Sequence, residues 1–577
     1  MKQLLLGNEA IARGAWEAGC RVAAAYPGTP STEITEAVAK YKEIYAEWSP
    51  NEKVAAEVAV GASIGGARAM AGMKHVGLNV AADPVFTASY IGVNGGLVFC
   101  VADDPGMHSS QNEQDSRFYA RMALIPMLEP ADSQECKDFM KLAFELSEQY
   151  DTPVFIRLTT RVAHSRSLVE LGEREEVPLK EYKKDASKRV MMPAMARGRH
   201  VAVEARMKRL AADCNAFPIN EIRKGNGRTA VVTSGISSQY VMEALPDADV
   251  FKIGMVYPLP IEAIRKFAAG FDKLYIVEDL EPFIEDALKA AGIPCVGKEL
   301  TGLQGEPTVH LIAEKIGGKK LSAAPEAGAP VRPPVMCPGC PHRGVYYVFS
   351  KLGLTVTGDI GCYTLGTLEP LNSTDTCLCM GASIGMAHGF EKARGGKQPK
   401  LVAAIGDSTF IHSGITPLIG AVYNRSNITV CILDNSTTGM TGHQHHPATG
   451  KTLQGADAAI LDLEGLCKAV GVKDVRVVDS FDLKAVEANL KESLAADGPS
   501  VVIFRRACAL LPGHKNGPLA VINAEKCRKC KACMRLGCPA IEAVGGAVRV
   551  NPALCTGCGL CASVCAFGAM ERGEQAE

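Results

Sequence analysis

The sequence carries almost no net charge: 62 lysines and arginines face 63 aspartates and glutamates, leaving a formal charge of -1. Without a basic or acidic excess there is no overall electrostatic pull toward nucleic acid or anionic lipid, so neither is the expected partner. A membrane span is also lacking. The longest run without a charged residue lies between Asp83 and Asp103 and is broken by Pro84, Asn94 and the Gly95-Gly96 pair, which fits a buried strand and a helix start. No secretory signal is expected, because the opening MKQLLLGNEAIARG turns polar by Asn8. Nor is the composition that of a disordered chain. Of 577 residues, 47% are hydrophobic and 22% charged, which predicts a globular protein of about four domains. The expected location is the cytoplasm.

Cysteine, by contrast, is abundant and unevenly placed. Of 21 cysteines, eight (Cys527, Cys530, Cys533, Cys538, Cys555, Cys558, Cys561, Cys565) fall within the last 51 residues. A large chain with further scattered cysteines and no secretory signal belongs to a reducing compartment, where clustered thiolates bind metal in place of forming disulfides.

Apolar runs that stop at Gly, Pro or Asp mark out the organisation. Residues 1–195 alternate the short strands VAAAYPG, HVGLNVA, GGLVFCVADDPG and TPVFIRLTT with small-residue helices, an α/β pattern with a mostly parallel sheet. Residues 196–225, rich in Arg and Lys, read as helix with a turn. TAVVTSG, DVFKIGMVYPLP and KLYIVED predict a smaller α/β domain over 226–320, and a Pro/Ala-rich linker follows over 321–336. A further α/β segment, 337–515, carries TVTGDIG, KLVAAIGDS, ITVCILDNS and PSVVIFRRA, and the cysteine-rich tail spans 520–577. The pentapeptide Gly61-Ala62-Ser63-Ile64-Gly65 recurs as Gly381-Ala382-Ser383-Ile384-Gly385. Both copies are expected to enter small-residue helices, which, together with the similar strand and helix rhythm on either side, points toward common descent of the two larger α/β segments.

The tail spacing is the most specific signal. Cys527-x2-Cys530-x2-Cys533-x4-Cys538-Pro539 is followed by Cys555-x2-Cys558-x2-Cys561-x3-Cys565. Three thiolates in a tight turn can hold three irons of a cubane, while the fourth cysteine reaches the other cluster. This resembles a bacterial two-cluster ferredoxin domain. One 4Fe-4S cluster is then expected on Cys527, Cys530, Cys533 and Cys565, the other on Cys555, Cys558, Cys561 and Cys538. Two departures touch nuclearity and potential: four residues precede Cys538, and Ala566 follows Cys565. Structural zinc is the alternative for C-x2-C pairs.

A second signal is Gly406-Asp407-Ser408 after the strand LVAAI, followed by Asp434-Asn435 after ITVCIL. Adjacent parallel strands would deliver Asp407 and Asn435 together at their carboxyl ends, where open α/β sheets bind ligands. Both offer hard oxygens suited to Mg2+, which in turn holds a diphosphate. The pair resembles the thiamine diphosphate motif, with Ser408 for its last Gly and Asp434 for its first Asn. That resemblance implies Thr437 as a third Mg2+ ligand through its carbonyl. It also requires a glutamate that opens a small-residue helix to bond the coenzyme's aminopyrimidine. The stretch Glu52-Lys-Val-Ala-Ala-Glu57-Val-Ala-Val-Gly-Ala resembles that pattern, with Glu52 in the key place and Glu57 as the alternative. Without the other motifs, a solvated first-turn glutamate would be the plainer reading of either.

Tyr26-Pro27-Gly28-Thr29-Pro30-Ser31 resembles the turn of pyruvate:ferredoxin oxidoreductases whose threonine contacts the 2-oxoacid carboxylate, which would make Thr29 that residue. Arg121 resembles the family's substrate-carboxylate arginine, with Arg117 in competition and a surface position the simpler account of each. Cys337-Pro-Gly-Cys340, Cys362 and Cys508 stand at places where the superfamily ligates a cluster beside the thiazolium, although buried thiols are common in any core. His443, His445 and His446 follow the Mg2+ loop and could line a substrate pocket.

Nearly the whole chain is similar to the α subunits of indolepyruvate:ferredoxin oxidoreductases, members of the thiamine-diphosphate-dependent 2-oxoacid:ferredoxin oxidoreductase superfamily. CPGCPHR, GDSTFIHSGI and LDNSTTGMTGHQ are the distinctive stretches. The resemblance implies two thiamine-diphosphate-binding Rossmann-like α/β domains (pyrimidine-binding 1–195, diphosphate-binding 337–515), a transketolase-C-terminal-like α/β domain and a C-terminal α+β two-cluster ferredoxin-like domain. It further implies oxidative decarboxylation of aryl 2-oxoacids, coenzyme A as acyl acceptor, ferredoxin as electron acceptor, and a separate smaller β subunit carrying a γ-type module in an α2β2 assembly. Two rival functions fit the same motifs: a non-oxidative 2-oxoacid decarboxylase or carboligase with a regulatory tail, and a non-catalytic electron-transfer subunit.

Overall fold

Short, largely apolar runs of four to seven residues become the central strands. In a computed structural model the protein is described over residues 1–322, 328, 333–513 and 517–573. Most of the expected linker (323–327 and 329–332) lies outside the described residues, as do 514–516 and 574–577. The chain forms two compact units, Met1–Ala327 and Gly328–Glu577.

In the first unit, seven strands pair in the order Met255–Tyr257, Met127–Leu128, Val154–Thr159, Leu97–Asp103, Ala69–Lys74, Val22–Ala25, Tyr45–Trp48. All neighbours are parallel except the first pair. The central strands Leu97–Asp103 and Val154–Thr159 are buried along their whole length, as parallel strands covered on both faces must be. Each Phe or Ile taken out of water here contributes roughly 1.5–3 kcal/mol. A second sheet runs Leu274–Val277, Ala230–Ser234, Asp249–Ile253, Glu221–Arg223, with the last strand antiparallel.

Three sequence expectations change here. DVFKIGMVYPLP is two strands: Gly254 separates Asp249–Ile253 from Met255–Tyr257, which crosses into the larger sheet. Phe99 and Phe155 therefore share one core with Phe251, Ile253 and Phe283. HVGLNVA is helix His75–Val80, and the strand is the preceding Ala69–Lys74. A glycine is needed in that helix, because a Cβ on Gly77 would lie 2.5 Å from Glu52 Oε1. The GASIG copies are not equivalent: the first closes helix Glu52–Ile64 at Gly65, the second opens helix Ala382–Ala393 at Gly381. The pentapeptide therefore carries no argument for common ancestry. The Arg/Lys-rich segment is mainly one exposed helix, Pro193–Asp213, followed by a short 3-10 turn.

In the second unit, six strands form an all-parallel sheet in the order Thr376–Cys377, Thr355–Gly358, Leu401–Gly406, Thr429–Asp434, Ser500–Arg505, Asp474–Val478. The tail is built from two antiparallel strand pairs, Ala520–Ile522 with Met570–Arg572 and Ile541–Val544 with Ala547–Val550, around a small core of Leu536, Ile541, Leu560, Cys561 and Met570. A core of this size stabilises little by itself, which makes a bound metal group the expected source of rigidity.

Candidate functional site

Strands Leu401–Gly406 and Thr429–Asp434 are neighbours, with Gly406 opposite Leu433. Asp407 and Asn435 therefore leave the sheet side by side, both buried. One terminal position of the Asn435 amide lies 3.1 Å from Asp407 Oδ1 and 2.8 Å from the Thr437 carbonyl oxygen. With nitrogen there the amide donates to both. With oxygen there, three oxygens converge at the spacing of adjacent ligands around octahedral Mg2+, roughly 2.9 Å for metal–oxygen distances of ~2.0–2.1 Å. The chemistry and spacing of this set fit a hard divalent cation. Burial pushes the Asp407 carboxyl above the usual range, opposed by nearby His446.

The surrounding loop holds these groups in place. Ser436, at φ +59°, donates its N–H to Asp407 Oδ2 at 2.9 Å. His446 Nε2 stands 3.2 Å from the same oxygen. Ser408 and Thr438 hydroxyls bond at 2.8 Å. Asp434, where the thiamine motif has Asn, pairs with Arg505 Nε at 2.7 Å and so braces the loop from outside. Gly406 has no room for a side chain, since a Cβ would lie 2.6 Å from the Tyr363 ring. Asp359, not singled out from the sequence, accepts the N–H groups of Gly381 at 2.8 Å and Ser383 at 3.0 Å and so anchors helix Ala382–Ala393.

Cys337, Cys340, Cys362 and Cys508, far apart in sequence, line one cavity with His342, His443 and Asn435. Asn435 thus belongs both to this cavity and to the cation set. Cys508 N–H donates to the Asn435 carbonyl at 3.0 Å, and a Cβ on Gly439 would sit 3.4 Å from both Asn435 Nδ2 and Cys362 Sγ. Burial raises the Cys340 thiol to about 12 and the Cys362 thiol to about 11. Ionisation of these thiols therefore needs a metal to compensate it. His445 is exposed and takes part in neither site.

The eight tail cysteines divide into two cavities. Cys538, Cys555, Cys558 and Cys561 line one, and Cys527, Cys530, Cys533 and Cys565 line the other. Backbone N–H groups point at the sulfurs: Ala569 to Cys565 at 3.2 Å, Gly557 and Ala520 to Cys555 at 3.4 and 3.5 Å. Burial acts to raise the Cys565 thiol, but the surrounding amides outweigh it and hold the thiol below its ordinary value. Among the described residues no three His, Cys, Asp or Glu side chains converge at the spacing of a single ion. Four thiols around a cavity is the arrangement a multi-iron cubane requires.

In the first unit, Asn51 caps helix Glu52–Ile64 by accepting the Val54 N–H at 3.0 Å. Glu52 is buried against Gly77, whereas Glu57 is exposed and paired with Lys53. The two glutamates thus lie on different faces. Thr29 is half-buried in its turn, its carbonyl accepting from Ser109 Oγ at 3.3 Å. Lys74, which no motif in the sequence marks, lies against Gly28 of that turn and donates to the Ser109 carbonyl at 2.7 Å. Burial lowers its ammonium to about 8, against the pull of Asp104.

Arg121 is exposed on helix Ser116–Ala123. Arg117, for which a surface position was the simpler expectation, is fully buried and bonded to Asp115, Glu278 and the carbonyls of Asp279 and Glu281. No described helix is long and apolar enough to cross a membrane.

Three family models match the chain. Residues 13–215 match "Pyruvate flavodoxin/ferredoxin oxidoreductase, thiamine diP-bdg", residues 359–504 match "Thiamine pyrophosphate enzyme, C-terminal TPP binding domain", and residues 519–566 match "4Fe-4S dicluster domain". Indolepyruvate oxidoreductase subunit IorA of Pyrococcus horikoshii is 42% identical, covering 100% of this chain and 98% of that protein. The protein of the same name from Archaeoglobus fulgidus is 41% identical over 98% of this chain and 96% of its own length. More distantly, 2-oxoglutarate synthase subunit KorA of Methanothermobacter marburgensis is 26% identical over 47% of this chain and 86% of its own.

Proposed function

Because the chain belongs to the family of indolepyruvate oxidoreductase IorA subunits, we propose that it is the catalytic subunit of an indolepyruvate:ferredoxin oxidoreductase, converting aryl 2-oxoacids and coenzyme A to aryl-acetyl-CoA and CO2. The supporting observation is the place of Asn435, at once in the cation set with Asp407 and Thr437 and in the wall of the Cys337/Cys340/Cys362/Cys508 cavity. An enzyme that merely released an aldehyde would have no use for one-electron acceptors beside its coenzyme.

Bound thiamine diphosphate supplies a nucleophilic carbon and an electron sink for decarboxylation. Asp407, Asn435 and the Thr437 carbonyl would hold Mg2+, and through it the diphosphate, with Gly406 and Ser408 shaping the turn. Glu52 would hydrogen-bond the aminopyrimidine N1', moving a proton onto and off that nitrogen. Thr29 and Arg121 would bind the 2-oxoacid carboxylate. The Cys337/Cys340/Cys362/Cys508 set would hold a third 4Fe-4S cluster next to the coenzyme, and the two tail sets one each, so that electrons leave singly toward ferredoxin. A smaller β subunit in an α2β2 assembly would complete the enzyme, in the reducing cytoplasm that thiolate clusters need.

The test is an anaerobic assay of the chain co-expressed with its smaller subunit, following viologen reduction by indolepyruvate with and without coenzyme A. Coenzyme-A-dependent reduction is expected. Aldehyde and CO2 without dye reduction, from protein with intact clusters, would overturn the reading in favour of a decarboxylase.

A further inference from the structure

Arg343 ends the CPGCPHR stretch and is buried to within 3% of its surface. Its guanidinium ties together two cysteine-bearing loops. Nη1 donates to the Leu536 carbonyl at 2.8 Å, between Cys533 and Cys538, and Nη2 donates to the Cys337 carbonyl at 3.0 Å and to that of Met336. Nε is buried without a partner among the described residues.

The two cavities meet at this point. Cys337 and Cys340 line one, while Pro338 and Gly339 between them line the other, with Arg343, Cys538, Cys555, Cys558 and Cys561. Arg343 lines the second cavity, and among the described residues no other Lys or Arg, and no Asp or Glu, lines either. Burial raises the thiols of both Cys340 and Cys538, and in both the Arg343 charge acts against that rise.

We propose that Arg343 is a positioning residue for electron transfer, a fixed buried cation shared by two adjacent cluster sites that raises the reduction potential of both. This rests on reading the cysteine sets as 4Fe-4S sites. In the step concerned, one electron leaves the group held by Cys337, Cys340, Cys362 and Cys508, which is oxidised by one. The group held by Cys538, Cys555, Cys558 and Cys561 is reduced by one, and no bond or proton moves. Each site becomes more negative on reduction, and in a low-dielectric interior a neighbouring guanidinium lowers the cost of that added charge. Arginine suits the place because it stays charged when buried and its planar fork reaches carbonyls of both loops.

The experiment compares Arg343→Met and Arg343→Lys with the wild type in the full enzyme, by iron and sulfide analysis followed by EPR-monitored redox titration. In Arg343→Met the reduction equilibrium of both flanking clusters should fall about tenfold, about 59 mV for one electron. The cluster on Cys527, Cys530, Cys533 and Cys565, whose cavity Arg343 does not line and none of whose cysteines it bonds, should not move. Arg343→Lys should keep both potentials near wild type. Unchanged potentials in fully loaded Arg343→Met, an equal shift of all three clusters, or a Lys variant shifted as far as Met would each overturn the proposal. If Arg343→Met fails to load, the Lys variant decides, and loss of iron in both would mean that the side chain only holds the loops. A wild-type protein lacking either flanking cluster would instead overturn the cluster reading on which the proposal stands.

Discussion

Ser237 Oγ donates to Asp279 Oδ1 at 3.1 Å, while the other oxygen of that carboxylate is buried with no hydrogen-bond partner among the described residues. Asp279 follows the strand Leu274–Val277, in a network with Arg157, Glu129, Arg117 and Lys298. The network joins the two sheets of the first unit: Arg157 pairs with Asp103 at 2.7 Å and with Glu129, and Arg117 with Glu278 at 2.6 Å. The carboxylates outnumber the cations, and one of them is left under-satisfied.

That imbalance predicts a pH effect of definite sign. Burial, opposed by Arg157, raises the Asp279 carboxyl to about 6 from an ordinary 3.8. The folded state then binds the proton more tightly than the unfolded state, so this group's contribution is fully present below pH ~4 and is lost as pH rises to about 6. The loss is roughly 3 kcal/mol at 1.36 kcal/mol per unit. Glu278, also raised by burial, acts with the same sign. Asp279→Asn should match the wild type in thermal unfolding near pH 4 and be the more stable protein at pH 7. A difference in melting temperature that stays constant from pH 4 to pH 7 would count against the assignment.

Glu52 and Glu57 are separated by burial as well as by sequence. With Glu52 packed on Gly77, Glu52→Gln should still bind thiamine diphosphate and lose 10²–10⁴-fold in turnover, the usual range for removing a positioned proton-transfer group. Glu57→Gln removes an exposed ion pair with Lys53 and should change stability by less than about 1 kcal/mol and turnover little. Calorimetric coenzyme titration beside steady-state rates measures both. Wild-type turnover in Glu52→Gln would falsify the proposed role.

Cys362 distinguishes a cluster site from an ordinary buried thiol. Cys362→Ala in the full chain should remove one four-iron signal, measured as iron and sulfide per chain after anaerobic reconstitution, and leave both tail signals intact. The same iron content in variant and wild type would return Cys337, Cys340, Cys362 and Cys508 to the status of core residues.

Features set by short stretches of chain were legible in the sequence alone. The tail cysteines carry their geometry in their spacing, because three thiolates in one turn and a fourth beyond it need no distant partner to be arranged. Asp407 and Asn435 were legible for a related reason: a fully apolar run predicts a buried parallel strand, and the residue after such a strand sits at the edge where ligands bind. Tertiary structure decided what depends on contacts between distant segments. Glu52 and Glu57, roughly 140° apart around a helix of 3.6 residues per turn, are alike until packing against Gly77 buries one of them. Arg117 reads as a surface arginine until Asp115 and Glu278 enclose it. The strand Met255–Tyr257 leaves its expected sheet because its pairing partner, Met127–Leu128, lies over a hundred residues away. Likewise the convergence of Cys337, Cys340, Cys362 and Cys508 on one cavity, with Arg343 behind it, follows from strand order and loop packing. No local propensity encodes those contacts.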